Sequence, residues 1–359
     1  LVEMRLDAHA ETPADFARFA ELIKLSALSH RLRHGQTVAE ALPEINAMLR
    51  GSMSPAQRAE FERSELDERL LAGERYSRLL DRSVAALAPQ LGNYVPVVGD
   101  RLRLSASDIT TYRRCPKMYE YEKVMRIPMR DKSHLRLGIL IHNVLERYHR
   151  DNGDRELGEG GRQAELERLL EAGIATGGWG GSDDDRQLLE RARAMLRRYA
   201  AGELAQPAGE VDTEIKFSLK LPPSPAMTDT PVGGKRLTGI QINGKIDRID
   251  RDDDGTRLID YKTGKRRTPG ELRTDIQLAL YRLAASEVLG IEASSLIYYY
   301  LEHDNPAVAA EAGDERIAEV RETINQVADS IVRLEFDPTP SYQICQDCAF
   351  KRVCPATEA

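Results

Sequence analysis

Two periods follow one another along this chain. Up to about residue 201 apolar residues recur every three to four positions, as in helices buried on one face; in the segments between Thr213 and Lys262 they alternate or run together, as in strands. The first hundred residues predict helices only. Thr37-Val38-Ala39-Glu40 and Ser54-Pro55-Ala56-Gln57 fit the capping box, in which a hydroxyl and a carboxylate or amide satisfy orphan N–H groups at a helix start. Pro55 falls at the first helical position, where its missing donor costs nothing. Leu66, Leu70, Leu71, Leu79 and Leu80 give the stretch from Phe61 to Leu87 an amphipathic face.

Gly92, Pro96 and Gly99 interrupt this pattern, predicting a linker over Leu91–Asp100, a domain boundary near residue 100 and a new helix opening around Ser105 or Ser107. Helices follow to about Arg150. A Gly- and Asp-rich stretch from Asp151 to Asp185 carries one short Leu-bearing helix, and another helix runs to about Ala201. Strands are predicted at Thr213–Leu221, Arg236–Asp250, Thr256–Lys262 and Ser295–Leu301, with helices at Pro269–Leu289 and Asp314–Leu334. No internal repeat is present, so the expectation is an α/β core behind a helical region spanning residues 1–100.

Composition narrows the function classes. With 359 residues, 41% of them hydrophobic and 30% charged, the chain has enough apolar material for a real core. No run reaches the ~20 apolar residues that span a bilayer, so no membrane association is expected. The segment Leu1–Asp7 carries acids and lacks both an initiator Met and a basic-then-apolar leader, which points to a cytoplasmic location and is compatible with a piece of a longer chain. A net charge of −7 excludes a generic duplex coater, so any DNA contact must be local. Four cysteines are too few for a disulfide scaffold and favour metal or cluster binding.

The chemistry concentrates in Gly244-Lys245-Ile246-Asp247-Arg248-Ile249-Asp250 and Leu258-Ile259-Asp260-Tyr261-Lys262-Thr263-Gly264. Residues two apart on a strand share a face, so Asp260 and Lys262 project together while Ile259 and Tyr261 project the other way. Phosphodiester hydrolysis needs hard oxygen ligands for a divalent cation, an activated water and positive charge near the developing phosphorane. Asp-x-Lys with a second Asp meets these needs. Taken singly, each acid reads as a strand-edge charge beside an acidic turn; the combination with Lys262 reverses that. The segment Gly239–Ile246 imitates a phosphate-binding Gly-Lys loop, but Ile246 replaces the hydroxyl that would bind Mg²⁺ and the flanks read as strand.

These motifs resemble the PD-(D/E)xK nuclease superfamily, in particular the RecB-like nuclease domains of bacterial helicase-nuclease machines and the CRISPR-associated RecB-like exonucleases. The resemblance covers roughly Leu104–Pro355, with Ile246 in place of the Pro in the superfamily's name. It implies a restriction-endonuclease-like core, a mixed central sheet flanked by helices, over residues 101–359. It also implies that His142 (from Gly138-Ile139-Leu140-Ile141-His142), Asp247, Asp260 and the Tyr261 carbonyl hold Mg²⁺ or Mn²⁺. Lys262 would act on the attacking water, with Glu214, Gln277 and Tyr281 as auxiliary or DNA-contacting residues. The spacing of His142, Glu146 and His149 also fits a zinc helix, but His142 alone is the preferred ligand.

Cys345-x-x-Cys348-x5-Cys354 lies near the C-terminus and Cys115 far upstream; by spacing alone four thiolates suit zinc or an iron-sulfur cluster. The resemblance implies a [4Fe-4S] cluster clasping the entry helix to the tail. It further implies a DNA nuclease module of an AddAB/AdnAB-type helicase-nuclease that resects double-strand breaks. Single strands would come from a motor, with residues 1–100 ending a helicase part or tethering to a partner subunit. Lys265-Arg266-Arg267 is a candidate backbone contact or a solvated loop. A stand-alone RecB-like exonuclease and a catalytically idle nuclease fold serving DNA binding or assembly are the alternatives.

Overall fold

The computed structural model describes residues 12–33, 36–51, 53–74, 94–127, 133–152, 157–179, 182–205, 209–304, 306–309, 313–354 and 356–358. The later part of the amphipathic stretch ending at Leu87, and the start of the predicted linker with Gly92, lie outside the described residues. Helices α1 (Pro13–Arg33), α2 (Val38–Gly51), α3 (Pro55–Glu62) and α4 (Leu66–Glu74) come first. Strands β1 (Val97–Val98) and β2 (Arg101–Leu104) precede α5 (Ala106–Arg114) and α6 (Pro116–Tyr119). Next are α7 (Ser133–Asn152), α8 (Glu159–Thr176), α9 (Asp183–Ala201), β3 (Glu210–Leu221), α10 (Pro225–Asp229) and β4 (Gly239–Asp252). Strand β5 (Gly255–Lys262), α11 (Pro269–Thr274), α12 (Gln277–Ala284), β6 (Ser295–Tyr300), β7 (Ala307–Ala309), α13 (Asp314–Val332) and α14 (Tyr342–Gln346) complete the order.

The chain divides into two compact units, each built from separated segments. One comprises Leu1–Arg130, Lys220–Gln241 and Thr323–Ala359; the other comprises Asp131–Leu219 and Ile242–Glu322. The break expected near residue 100 is an edge of neither. The reason lies in packing: Ile23, Leu42, Ile45 and Phe61 of the first helices share one core with Tyr121, Met125, Phe350 and Val353. Beneath it, Nζ of Lys117 donates to Glu120 at 2.6 Å and to Ser26 at 2.9 Å, pairing a buried charge as burial requires. Both predicted capping boxes form, with Thr37 and Glu40 exchanging bonds of 3.3 and 2.9 Å and Ser54 and Gln57 doing the same.

In the second unit β4 pairs antiparallel with β5, β5 parallel with β6, and β6 antiparallel with β7, while β3 also pairs with β4. This is the mixed sheet flanked by helices that the α/β, restriction-endonuclease-like expectation called for. One layer is α7, α8 and α9, whose Leu145, Leu170, Met195 and Leu196 pack on Ile259, Tyr261, Tyr299 and Leu301. Helix α8 runs 18 residues, longer than its Gly- and Asp-rich surroundings suggested, because Leu166, Leu169 and Leu170 bury one face. The single helix expected over Pro269–Leu289 breaks at Asp275, whose carboxylate accepts from the Gln277 N–H at 2.7 Å and so starts α12 afresh. Gly239–Ile246 lies within continuous strand, which rules out a phosphate-cradling loop there.

Candidate active site

Four elements deliver the acidic residues and the histidine. Half-buried His142 on α7 puts Nδ1 3.5 Å from Oδ2 of Asp247 on β4 and 3.9 Å from Oε1 of Glu214 on β3. Among the described residues these three form the one group of three or more His, Cys, Asp or Glu with ligand atoms all within 4.8 Å of one another. Glu214 adopts φ +57, a left-handed conformation costly for a residue with a Cβ and rare inside a strand. Its other oxygen meets the Lys245 ammonium. Gly244 has a local reason: a Cβ there would lie 2.3 Å from the ring of Phe217, which faces Tyr281 edge-on at 6.1 Å.

Asp247 is tied to the next strand by its side chain. One step beyond the Arg248–Ile259 register pair, its Oδ2 accepts the Tyr261 N–H at 3.0 Å. On β5 Asp260 is 1% exposed. Its Oδ2 lies 2.6 Å from Nζ of Lys262, and its Oδ1 accepts from Gln277 Nε2 at 2.7 Å and from the Tyr281 hydroxyl at 3.1 Å. The Gln277 amide oxygen in turn accepts from Lys262 at 2.7 Å. Gln277 and Tyr281, one turn apart on α12, therefore clamp the Asp260–Lys262 pair.

The electrostatics follow from crowding. Burial pushes the Asp260 carboxyl upward, the Lys262 ammonium pulls it back, and the charge of Asp247 pushes it up again, for a net rise. Burial disfavours the His142 imidazolium, but the hydrogen bond and charge of Asp247, with Asp260 behind it, overcome this and raise its pKa. Burial and the two aspartates hold the Tyr281 phenol well above its ordinary value. An Asp260 carboxyl raised by burial and by the charge of Asp247, beside a histidine drawn toward the charged form, describes a site short of positive charge.

A sequence model of the PD-(D/E)XK nuclease superfamily matches residues 103–355, which contain all of these groups. The chain belongs to that superfamily. Among curated relatives, the Gene 69 protein of Mycobacterium phage D29 is 25% identical over 275 residues, covering 70% of this chain and 96% of the phage protein. The Gene 69 protein of Mycobacterium phage L5 is 23% identical over 291 residues, covering 70% and 95%. Among solved structures, "Putative exonuclease" from Eubacterium rectale aligns with a TM-score of 0.40 at 12% identity, over 66% of this chain and 83% of that one.

The two strands that carry the Asp247 and Asp260-x-Lys262 motifs are neighbours in the sheet. Glu214, expected as an auxiliary residue, stands in the tight group with His142 and Asp247, while Asp260 is held by Lys262, Gln277 and Tyr281. The zinc-helix spacing dissolves: Glu146 pairs with Arg150 at 3.1 Å, and His149 faces Arg248 and Tyr199 at 2.9 and 2.5 Å. Lys265 and Arg266 are exposed, and Arg267 pairs with Asp275.

Sequence reasoning missed Arg248. It is 0% exposed and holds Asp250 through two nitrogens, while one of its terminal nitrogens also reaches the Leu204 carbonyl at 2.6 Å, the Tyr199 hydroxyl at 2.8 Å and the Tyr261 hydroxyl at 3.2 Å. A charged residue at the inward position of Ile-Asp-Arg-Ile-Asp was the available signal.

The cysteines gather elsewhere, within the first unit. Cys115, Cys345, Cys348 and Cys354 are free of disulfides and line one cavity beside Tyr121 and Lys117. Cys115 sits between α5 and α6 in extended backbone, and its carbonyl accepts from Met118 and Tyr119. Burial, reinforced by the neighbouring thiols, raises Cys348 and pushes Cys354 up to about 11. No three of these sulfurs fall within 4.8 Å of one another.

Proposed function

We propose that this protein is a divalent-metal-dependent deoxyribonuclease. The carrying observation is the convergence of His142, Glu214 and Asp247 next to the clamped Asp260–Lys262 pair. One imidazole with two carboxylates, beside a third carboxylate in an electrostatic surplus of negative charge, fits Mg²⁺ or Mn²⁺, the imidazole suiting the latter. His142, Glu214, Asp247 and Asp260, with the Tyr261 carbonyl, would hold it. Such an ion supplies Lewis acidity and a nucleophilic water at neutral pH. Lys262 would orient the attacking water and offset charge developing on the phosphate, while Gln277 and Tyr281 hold the Asp260 carboxylate and Gln277 also the ammonium in place.

The test is cleavage of linear DNA with Mg²⁺ or Mn²⁺ against EDTA, for the parent protein and Asp260→Ala. Loss of cutting with an unchanged circular dichroism spectrum supports the assignment; full activity in the variant removes it. DNA binding without cutting by the parent protein would leave the idle-module reading.

For the biological setting, a helicase-nuclease that processes double-strand breaks is the reading that the RecB-like motifs support. A second reading has its own support: the phage relatives are matched over 96% and 95% of their lengths, which leaves them little room for a motor, as in a stand-alone nuclease. ATP-dependent unwinding by the native gene product separates the two.

For the cysteine cavity we propose a [4Fe-4S] cluster. Four thiols on one cavity are the right donor set, and a single tetrahedral zinc with Zn–S bonds of roughly 2.3 Å would need sulfurs closer together than these. Iron and sulfide determination on anaerobically purified protein tests it, and stoichiometric zinc with no iron would replace it.

A further inference from the structure

A groove of about 410 Å³ runs between α7 and α8, within the second unit. Along α7 its wall is a stripe at helical spacing: Arg136, Asn143, Arg147 and Arg150. The other end is closed by Trp179, the only tryptophan of the chain. Three guanidinium groups stand there against one lining carboxylate, Glu146, already paired with Arg150 at 3.1 Å. Arg147 has no ion-pair partner among the described residues, and Asn143 is exposed.

The indole is held in place. The Arg136 guanidinium lies 4.2 Å over its ring and is braced by Asp185 at 3.1 Å and the Gly178 carbonyl at 3.2 Å. Gly177 leaves the room it needs, since a Cβ there would come within 2.8 Å of the indole. Gly173 lets the helices close: its Cβ would meet Leu140 at 2.7 Å. A half-buried indole beside the unpaired Arg147, with Arg136 and Arg150 in surface ion pairs for which phosphates compete, suits unstacked bases on a phosphate backbone; a duplex keeps its base faces covered.

We propose that this groove binds single-stranded DNA, with a base stacked at Trp179 and phosphates at Arg147 and Arg150. Helix α7 also carries His142, one position from Asn143 but off the groove's lining, so the groove and the carboxylate site share one helix on different faces. The proposal deepens the nuclease reading and rests on it for the fate of the strand, but not for binding.

Because the chain has one tryptophan, its fluorescence reports this groove alone. Oligo(dT), oligo(U) and a blunt duplex of equal length are titrated into the full chain in EDTA, with anisotropy of a labelled oligonucleotide in parallel. The expected result is saturable quenching by oligo(dT), with the duplex and oligo(U) weaker. Arg147→Glu should weaken binding about tenfold or more, with a smaller effect from Asn143→Asp should the first variant fold poorly. Binding seen by anisotropy with unchanged fluorescence, no binding at low salt, or equal quenching by duplex overturns the proposal; stronger quenching by oligo(U) reassigns the groove to RNA and overturns it for DNA. Asp260→Ala should retain the quench. A parent protein that quenches but never cuts DNA sinks the nuclease reading and leaves the groove standing.

Discussion

The two faces of the β4–β5 pair carry charge in opposite ways. Toward α7–α9, Arg248 is sealed in with Asp250, Tyr199, Tyr261 and His149, a buried cation whose needs are met from inside the protein. Toward α12, Asp260 and Asp247 crowd each other, and the nearby ammonium is shared with Gln277. The same rule, that a charge removed from water must be paired, governs both. One face satisfies it internally and becomes structure; the other leaves negative charge over, as the proposed cation site requires.

That contrast is sharpest in Arg248→Ala, which leaves the buried Asp250 carboxylate only the longer contact with Arg257 at 3.7 Å and should destabilise the fold by about 3 kcal/mol, read by urea denaturation. Asp260→Ala should do the reverse, lowering cleavage at least about a hundredfold while leaving the melting temperature unchanged or higher. A variant that loses both together would erase the distinction between the faces.

A third measurement uses acid. Burial, then the Arg248 charge, holds His149 well below its ordinary pKa, so the folded protein keeps it neutral while the unfolded chain takes up a proton. The unfolded state therefore binds more protons below about 6.5, and stability, unaffected above that pH, falls as pH drops through it. Melting curves at successive pH values should show this loss in the parent and a smaller one in His149→Gln. Smallest is Thr268→Ala, which removes the capping box with Glu271 at the start of α11 and should cost about 1 kcal/mol without touching either face.

Much of the site was legible because strand alternation is local: Asp260-x-Lys262 shares a face by covalent geometry alone. Gln277 and Tyr281 were reachable through resemblance, since a pair one helical turn apart carries no message until its helix is laid on β5. Glu214 was harder, because its place beside His142 depends on a left-handed residue within β3 that alternation does not announce. Arg248 ran against the pattern, a guanidinium where an apolar side chain was due. Strands β1, β2 and β7, two to four residues each, are too short for any period to show. The division into units was beyond reach for a different reason: each is assembled from stretches far apart in the chain.

That assembly bears on the order in which the molecule can be built during synthesis. The apolar faces of α1–α4 wait for Phe350 and Val353, so these helices stay without their full partner until residues about three hundred positions further on have left the ribosome. The unit bearing the carboxylates draws nothing from beyond Glu322 and is free to close sooner. A nascent chain halted between those points would thus display a closed second unit and an open apolar core around α1–α4, the state in which a chaperone would have most to hold.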